Sequence, residues 1–263
     1  MSLTCWRRTC LLKHRNSPSV RFLFGMVTLV VIWFAAATML PRRVIPSPAA
    51  VTRAIVSDWR THFANVSQTC VEAFGGIALA LGVTAVVVLL VARWPAMEQV
   101  LMPPLSILKA VPAVAFVPLL VKLAGSGSRT KIVISALIAF FPLVIGALDG
   151  RRSTPRRLVA LADVYGASAW SRFRNVEIGF ALTGLLSGLK TAAPLSVVGA
   201  IVAEYLAGGE SGGVGTFIMT GYVNIASVQV FSGVVMAAAI GVAFYMLAEI
   251  TATAANERLH VTR

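Results

Sequence analysis

The sequence predicts an all-α integral membrane protein with six transmembrane helices. Hydrophobic residues make up 57% of the 263 residues and charged residues only 13%, and the mean hydropathy is +0.83. An average soluble domain carries about a quarter charged residues. Several uncharged runs approach the roughly 20 residues that a helix needs to cross a bilayer. The net charge of +13 fits basic loops beside anionic headgroups, so nucleic-acid binding is disfavoured.

The first predicted span covers residues 22–40 and follows a basic N-terminal segment, residues 1–21. We predict that this span is retained, because it is long for a signal peptide and "PRR" follows it instead of a small-residue cleavage site. Ser47 is then expected to cap a short amphipathic helix that begins at Pro48. This helix either lies at the membrane surface or packs on the spans.

The other predicted spans are 69–92, 98–121, 131–148, 180–206 and 228–249, within one domain over 22–252 that a polar tail, 253–263, follows. Prolines interrupt the third span, and backbone groups that proline frees in lipid must find partners in protein or in a cavity. We therefore expect span three to face protein and not lipid. The glycine-rich stretch after span five predicts a loop, with a short re-entrant piece.

Lysine and arginine predict the orientation of these spans. With the N-terminus inside, the inner segments hold 14 of these residues and the outer segments hold seven. Basic residues collect in cytoplasmic loops, so both termini are predicted to be cytoplasmic. Residues 150–178, here called the basic loop, are then cytoplasmic as well.

The basic loop reads as two short helices joined at a glycine. Thr154 is expected to cap the first helix, and Gly166 lies where a helix commonly ends in the left-handed conformation. Ser168 is expected to cap a second helix that carries Trp170 and Phe173. A loop that only connects two spans does not need two aromatic side chains, so exposed aromatics here predict a partner surface. A solvated hairpin is the simpler alternative.

The sequences of the basic loop and of several spans resemble those of a known family. "ALADVYGAS" followed by "VEIG" resembles the cytoplasmic EAA loop of binding-protein-dependent ABC transporter permeases. The stretches "ILKAVPAVAFVPLL", "AFFPLVIGALDGRRS" and "GLKTAAPLSVVGAIVAEYLAGGESGGVGTFI" are similar to the subfamily that imports sulfonates, taurine, nitrate and pyrimidine-type vitamin precursors. The likeness covers about residues 45–249. Ala160 stands in place of the glutamate of the motif, and Gly179 in place of its proline.

The resemblance implies the fold of a type I ABC importer permease in a bacterial inner membrane. It implies a second permease subunit (a homodimer is favoured over a heterodimer), two ATPase subunits and an extracytoplasmic binding protein. This chain is then expected to bind no cofactor and to catalyse no reaction, since ATP and Mg belong to the ATPase. The residues that the resemblance and the capping pattern assign to ATPase coupling are Asp163, Gly166, Ala167, Ser168, Trp170 and Phe173.

The translocation pathway is expected along the irregular spans three and five. The residues predicted to line it are Lys109, Pro112, Pro194, Ser196 and Glu204. Lys109 is either a cavity residue or a lysine paired inside the protein, and Glu204 is either a gate residue or exposed at the surface.

A secondary transporter or channel is the alternative function, because broken helices and intramembrane charges occur there too. The sequence holds no G-x-x-x-x-G-K-[ST] nucleotide motif. Its three histidines are scattered and do not predict a metal or catalytic site.

Overall fold

The computed structural model describes residues 18–39, 41, 44–209 and 212–261, and every regular element in that part of the chain is helical. The first half contains α1 (Pro18–Met39), α2 (Pro48–Ser57), α3 (Trp59–Arg93), α4 (Ala96–Ala110), a 3₁₀ turn (Ala113–Phe116) and α5 (Val117–Ala124). The second half contains α6 (Ser128–Arg152), α7 (Arg156–Val164), α8 (Ala169–Arg172), a π-helical turn (Phe173–Glu177), α9 (Ile178–Ala207), α10 (Val214–Val223) and α11 (Ser227–Val261).

Four of these helical stretches are long and apolar enough to cross a membrane: Trp59–Arg93, Ser128–Arg152, Ala169–Ala207 and Ser227–Glu257. They coincide with predicted spans two, four, five and six. Shorter apolar helices over Val30–Met39 and Ala113–Ala124 fall in predicted spans one and three. The all-α membrane fold is therefore confirmed. The short helix α10 follows the glycine-rich loop, and its re-entrant character stays a prediction.

The third span is interrupted, as its prolines predict. α4 contains Pro103 and Pro104 and ends at Ala110. Pro112 then precedes the 3₁₀ turn, and α5 begins only at Val117. Proline removes a backbone donor and crowds the preceding turn, so an uninterrupted helix cannot form across this stretch.

The termini of several helices differ from the sequence prediction. Ser47 caps α2 as expected, since its Oγ accepts a hydrogen bond from Ala50 N at 3.3 Å. The helix nevertheless ends at Ser57, and Trp59 starts α3 with its side chain exposed. The apolar residues that recur every four positions in the sequence, Val51, Ile55, Trp59 and Phe63, are thus divided between two helices. α11 continues to Val261, so the described part of the predicted tail is helical, while residues 1–17 of the basic N-terminal segment lie outside the described residues.

Glycines bring α6 and α9 into backbone contact. Gly146 and Gly150 on α6 face Gly184 and Gly188 on α9. A Cβ at Gly146 would lie 2.6 Å from the Gly184 carbonyl oxygen, and a Cβ at Gly184 would clash with the Gly146 carbonyl oxygen. Small residues four apart allow this close approach, which is a common basis of helix association in membranes. The two helices therefore form one closely packed antiparallel pair, joined at one end by the basic loop.

Candidate coupling loop and intramembrane polar sites

The basic loop folds as two short helices about a glycine turn. Gly166 has φ +70°, a left-handed conformation that glycine adopts without strain, and Ala167 N donates to Ala162 O at 3.0 Å. Ser168 caps α8 by accepting from Ser171 N at 3.3 Å. The prediction for Thr154 was wrong, because its hydroxyl donates to Arg151 O at 2.7 Å and caps no helix. Thr154 terminates α6 instead of starting α7.

The basic loop exposes four large apolar side chains. Tyr165 and Val164 are each 83% exposed, Leu161 is 53% exposed and Trp170 is 44% exposed. Together these four side chains are called the apolar tip. Water contact with so much apolar area is unfavourable, and such patches commonly mark a protein interface. The arrangement fits a surface that a partner covers.

Phe173 does not belong to this surface. It was expected as an exposed aromatic anchor, but its side chain is only 3% exposed and packs with Ala92 and Ala181. Its ring lies 6.0 Å from the ring of Trp170. The π-helical turn that begins at Phe173 directs this side chain into the bundle. Phe173 thus fixes the loop to α3 and α9.

Ion pairs join the elements of the basic loop to one another and to α4 and α6. Arg151, at the end of α6, donates to Glu177 at 2.6 Å and to Glu98 of α4 at 2.7 Å. Arg172 of α8 donates to the other oxygen of Glu177 and to Asp163 of α7, both at 3.0 Å. These five residues, with Arg152 bound to Glu98, are called the ion-pair network.

The centre of the ion-pair network is shielded from water. The side chains of Glu177 and Arg151 are 6% and 10% exposed, whereas that of Asp163 is 53% exposed. Buried charge-assisted hydrogen bonds fix geometry strongly, because breaking one strands a charge away from water. The network therefore restrains the loop at its base and leaves the apolar tip free.

A second polar cluster lies at the opposite ends of α6 and α9. The side chains of Glu72 and Lys131 are fully buried with Nζ 3.7 Å from Oε1, and Lys131 Nζ also donates to Gly212 O at 3.1 Å. Gln68 donates to Glu72 at 2.8 Å. Lys131, the first residue of the fourth predicted span, lies inside α6 and is buried.

Glu204 belongs to this buried polar cluster and holds the glycine-rich loop. Its carboxylate accepts from Thr69 Oγ1 at 2.7 Å and from Gly215 N at 2.6 Å. A Cβ at Gly213 would overlap the Glu204 carboxylate, so the close approach requires glycine. The alternative that Glu204 is exposed at the surface is wrong, because the residue is completely buried among these partners. Its place in the translocation pathway stays a prediction.

The other predicted pathway residues fall in different environments. Ser196 is fully buried, with its hydroxyl donating to Ala193 O at 2.7 Å, and its place in the pathway stays a prediction. Pro112 is exposed at the break before the 3₁₀ turn, and Pro194 is partly exposed on α9. The side chain of Lys109 lies outside the described residues.

One intramembrane ion pair remains partly accessible. Lys190 Nζ of α9 donates to Glu249 Oε1 of α11 at 2.9 Å, and the two side chains are 31% and 42% exposed. Ser187 and Thr191 are exposed on the same face of α9. Lys190 is a charged residue within the fifth predicted span, and only the fold identifies its partner, which is 59 residues away.

A cavity of about 420 Å³ between α3, α6 and the interrupted third span is apolar. Its lining includes Leu79, Val83, Phe116, Leu120, Val133 and Phe140. Such a lining offers nothing to hold a polar solute. Among the described residues, no group of three or more His, Cys, Asp or Glu side chains has an arrangement that could hold a metal ion.

The sequence that forms this helical bundle and its basic loop matches a known family. The family model for the inner membrane component of binding-protein-dependent transport systems covers residues 93–261. The chain belongs to this family. As an ABC transporter permease it is the non-catalytic membrane subunit of an importer of small solutes, and a partner hydrolyses ATP.

Relatives of this permease carry transport names with different solutes. It is 33% identical to the riboflavin transport system permease protein RibX of Chloroflexus aurantiacus, over 73% of each chain. It is 30% identical to the formylaminopyrimidine transport permease protein ThiX of Halalkalibacterium halodurans, over 76% of this chain and 78% of that one. The taurine transport system permease protein TauC of Escherichia coli is 23% identical, over 82% and 81%.

The residues that sequence reasoning missed are mainly the acidic partners. Glu98 and Glu177 carry the ion-pair network, and Glu72 pairs with Lys131. The composition could have indicated these acidic partners, because the chain has only ten acidic residues and 23 basic ones. In so basic and apolar a chain, an acidic residue at the end of a span is a candidate partner for a nearby arginine.

Proposed function

We propose that this permease forms the solute pathway of an ATP-driven importer and receives its movement from a separate ATPase through the basic loop. The observation that carries the proposal is the apolar tip, since four large apolar side chains are exposed on a loop whose base is firmly held. In the proposed orientation both termini and the basic loop are cytoplasmic, where an ATPase would meet them.

The structure supports a mechanical path from the apolar tip to the membrane helices. Phe173 packs against α3 and α9, and Glu177 joins α8 to α6 through Arg172 and Arg151. α6 and α9 are in turn locked together by their glycines. Closure of an ATPase dimer on the loop would then turn α6 and α9 as one rigid body, exchanging inward-facing and outward-facing states.

The residues proposed for coupling divide into two roles. Tyr165 and Trp170 contact the ATPase, and Gly166, Ala167 and Ser168 shape the turn that presents them. Asp163 supplies an acidic group where the family motif has its glutamate, and it orients Arg172. Phe173 anchors the loop and does not contact the ATPase.

We propose an assembly of two permease copies, two ATPases that bind ATP and Mg, and an extracytoplasmic binding protein. The solute is a small polar molecule, and a vitamin precursor or an aminosulfonate is supported by the solutes in the names of RibX, ThiX and TauC.

Copurification of the ATPase tests the coupling surface. Tyr165→Ala and Trp170→Ala together are expected to reduce the ATPase recovered with the tagged permease by about tenfold, because exposed aromatics dominate interfaces. Trp59→Ala is the matched control. Trp59 is also an exposed aromatic residue, 59% exposed, but it lies at the N-terminal end of α3, away from the end that packs on the basic loop.

Full recovery of the ATPase with the double variant would contradict the proposal. Solute uptake that continues in membranes without any ATPase would favour a secondary transporter instead.

A further inference from the structure

The outward face of α9 carries a polar stripe at membrane depth. α9 has 30 residues, a length of about 45 Å, and Lys190 lies about 18 Å from its first residue. A hydrocarbon layer about 30 Å thick includes Lys190 at every placement that fits within the length of α9. Thr191 and Ser187 are exposed on the same face, while Gly188 and Ala192 are buried on the opposite one.

The Lys190–Glu249 pair cannot face lipid at this depth without a large cost. In the single chain, 31% of the Lys190 side chain and 42% of the Glu249 side chain are exposed. Charged groups in hydrocarbon are strongly disfavoured. The pair therefore requires water, a polar solute or protein against it. Pro194 adds to the polarity of the site, because it lacks the N–H group that would bond to the Lys190 carbonyl.

We propose that this face of α9, with Glu249 of α11, lines the translocation pathway and binds a polar solute that has no net charge. The inference rests on the proposed function as an importer permease. The ammonium and carboxylate neutralise one another, so an anionic solute would meet Glu249 and a cationic solute would meet Lys190. A neutral or zwitterionic molecule can use both groups together with the hydroxyls of Ser187 and Thr191.

Cysteine accessibility in the assembled transporter tests the lining. Thr191→Cys is made in a chain whose three native cysteines are serine, and membranes are treated with the charged methanethiosulfonate reagents MTSET and MTSES. Both reagents are expected to label residue 191. Leu247→Cys is the control, because Leu247 is exposed on the opposite side of α11 from Glu249 and should face lipid.

Two neutralising variants test whether the ion pair faces the labelled position. Lys190→Gln leaves Glu249 uncompensated and is expected to raise the MTSET:MTSES rate ratio at residue 191 by about threefold or more. Glu249→Gln is expected to lower the ratio by a similar factor. Unchanged ratios in both variants would overturn the proposed site.

The solute class is tested by protection. Excess riboflavin or taurine is expected to slow labelling of Thr191→Cys, and ethanesulfonate is not. Protection by ethanesulfonate alone, or by none of the three, would overturn the assignment of a net-neutral solute. Absence of labelling at residue 191 would show that lipid or another subunit covers this face. Equal labelling at residue 247 would show that the reagents do not distinguish this face from a lipid-facing one, and either result would overturn the proposal. These outcomes are distinct from failure of the proposed function, because the ATPase would still copurify.

Discussion

Glu177 occupies the point where the basic loop meets the membrane helices. Each of its carboxylate oxygens binds a different arginine, Arg151 through Oε2 and Arg172 through Oε1. A single side chain thus joins the end of α6 to α8. No other described carboxylate joins α6 to α8 in this way, since Glu98 binds only arginines of α6 and Asp163 binds only Arg172.

Replacing Glu177 by alanine is expected to lower the free energy of unfolding by about 3 kcal/mol, because it removes one partner from buried ion pairs. The cost lies at the low end of the usual range, since Arg151 keeps Glu98 and Arg172 keeps Asp163. Thermal unfolding in detergent measures this effect. The ATPase should still copurify, whereas solute-stimulated ATP hydrolysis should fall.

Asp149→Ala is the control for that substitution. Its carboxylate is 61% exposed and lies 3.4 Å from Arg152 three residues away, and such surface pairs contribute little. Equal loss of stability in both variants would mean that burial of the network does not matter.

At the residue scale, the sequence predicted local chemistry and missed distant partners. Gly166 and Ser168 were predicted correctly because a positive φ and a helix cap depend on the nearest few residues. The burial of Phe173 depends on Ala92, 81 positions earlier, and that of Glu204 on Thr69, 135 positions earlier. Helical periodicity says that one face is buried but not which neighbour buries it.

At the scale of elements, the pairing of α6 with α9 sets the shape of the bundle. The glycines at 146, 150, 184 and 188 were present in the sequence at a spacing of four, yet their partners could not be assigned before the fold was known. The apolar runs over Ser128–Arg152 and Ile178–Ala207 were sufficient to predict two spans. They were insufficient to predict that the two helices touch through their backbones.

Gly184→Ala is expected to destabilise the permease by about 2 kcal/mol, because an added Cβ overlaps backbone atoms of Gly146 and Gly150 that cannot move independently. Gly82→Ala is the matched control, since a Cβ there meets nothing within 4 Å and alanine is the better helix former. Thermal unfolding of both variants in the same detergent provides the comparison. A Gly184→Ala variant as stable as Gly82→Ala would show that the helices can separate without penalty.

At the scale of the whole molecule, the two ends of the bundle carry polar side chains that differ in burial. One end carries arginines paired in the partly open ion-pair network, and the other carries a buried polar cluster around Glu72, Lys131 and Glu204. The interrupted third span lies beside this core and is less regular. We expect the buried polar cluster to stay fixed while the network end responds to the ATPase.

Reporter fusions are expected to place both termini on the cytoplasmic side. Alkaline phosphatase fused after Arg263 should be inactive and a fluorescent protein fused there should be bright, because an even number of spans returns the chain to its starting side. A fusion after Gly209, in the glycine-rich loop, should show the reverse pattern. Active phosphatase at the C-terminus would contradict the six-span orientation.

The π-helical turn at Phe173–Glu177 also sets how far the residues before it are rotated about the axis of α9. In a π turn the backbone hydrogen bonds join residues five apart instead of four apart, so the turn contains one residue more than an α turn in the same place. Converting it to a regular α turn would rotate everything before it by about 100° about the axis of α9. The direction in which Trp170 points is therefore set by a single surplus residue, and a one-residue deletion there would aim the same side chains at a different quadrant.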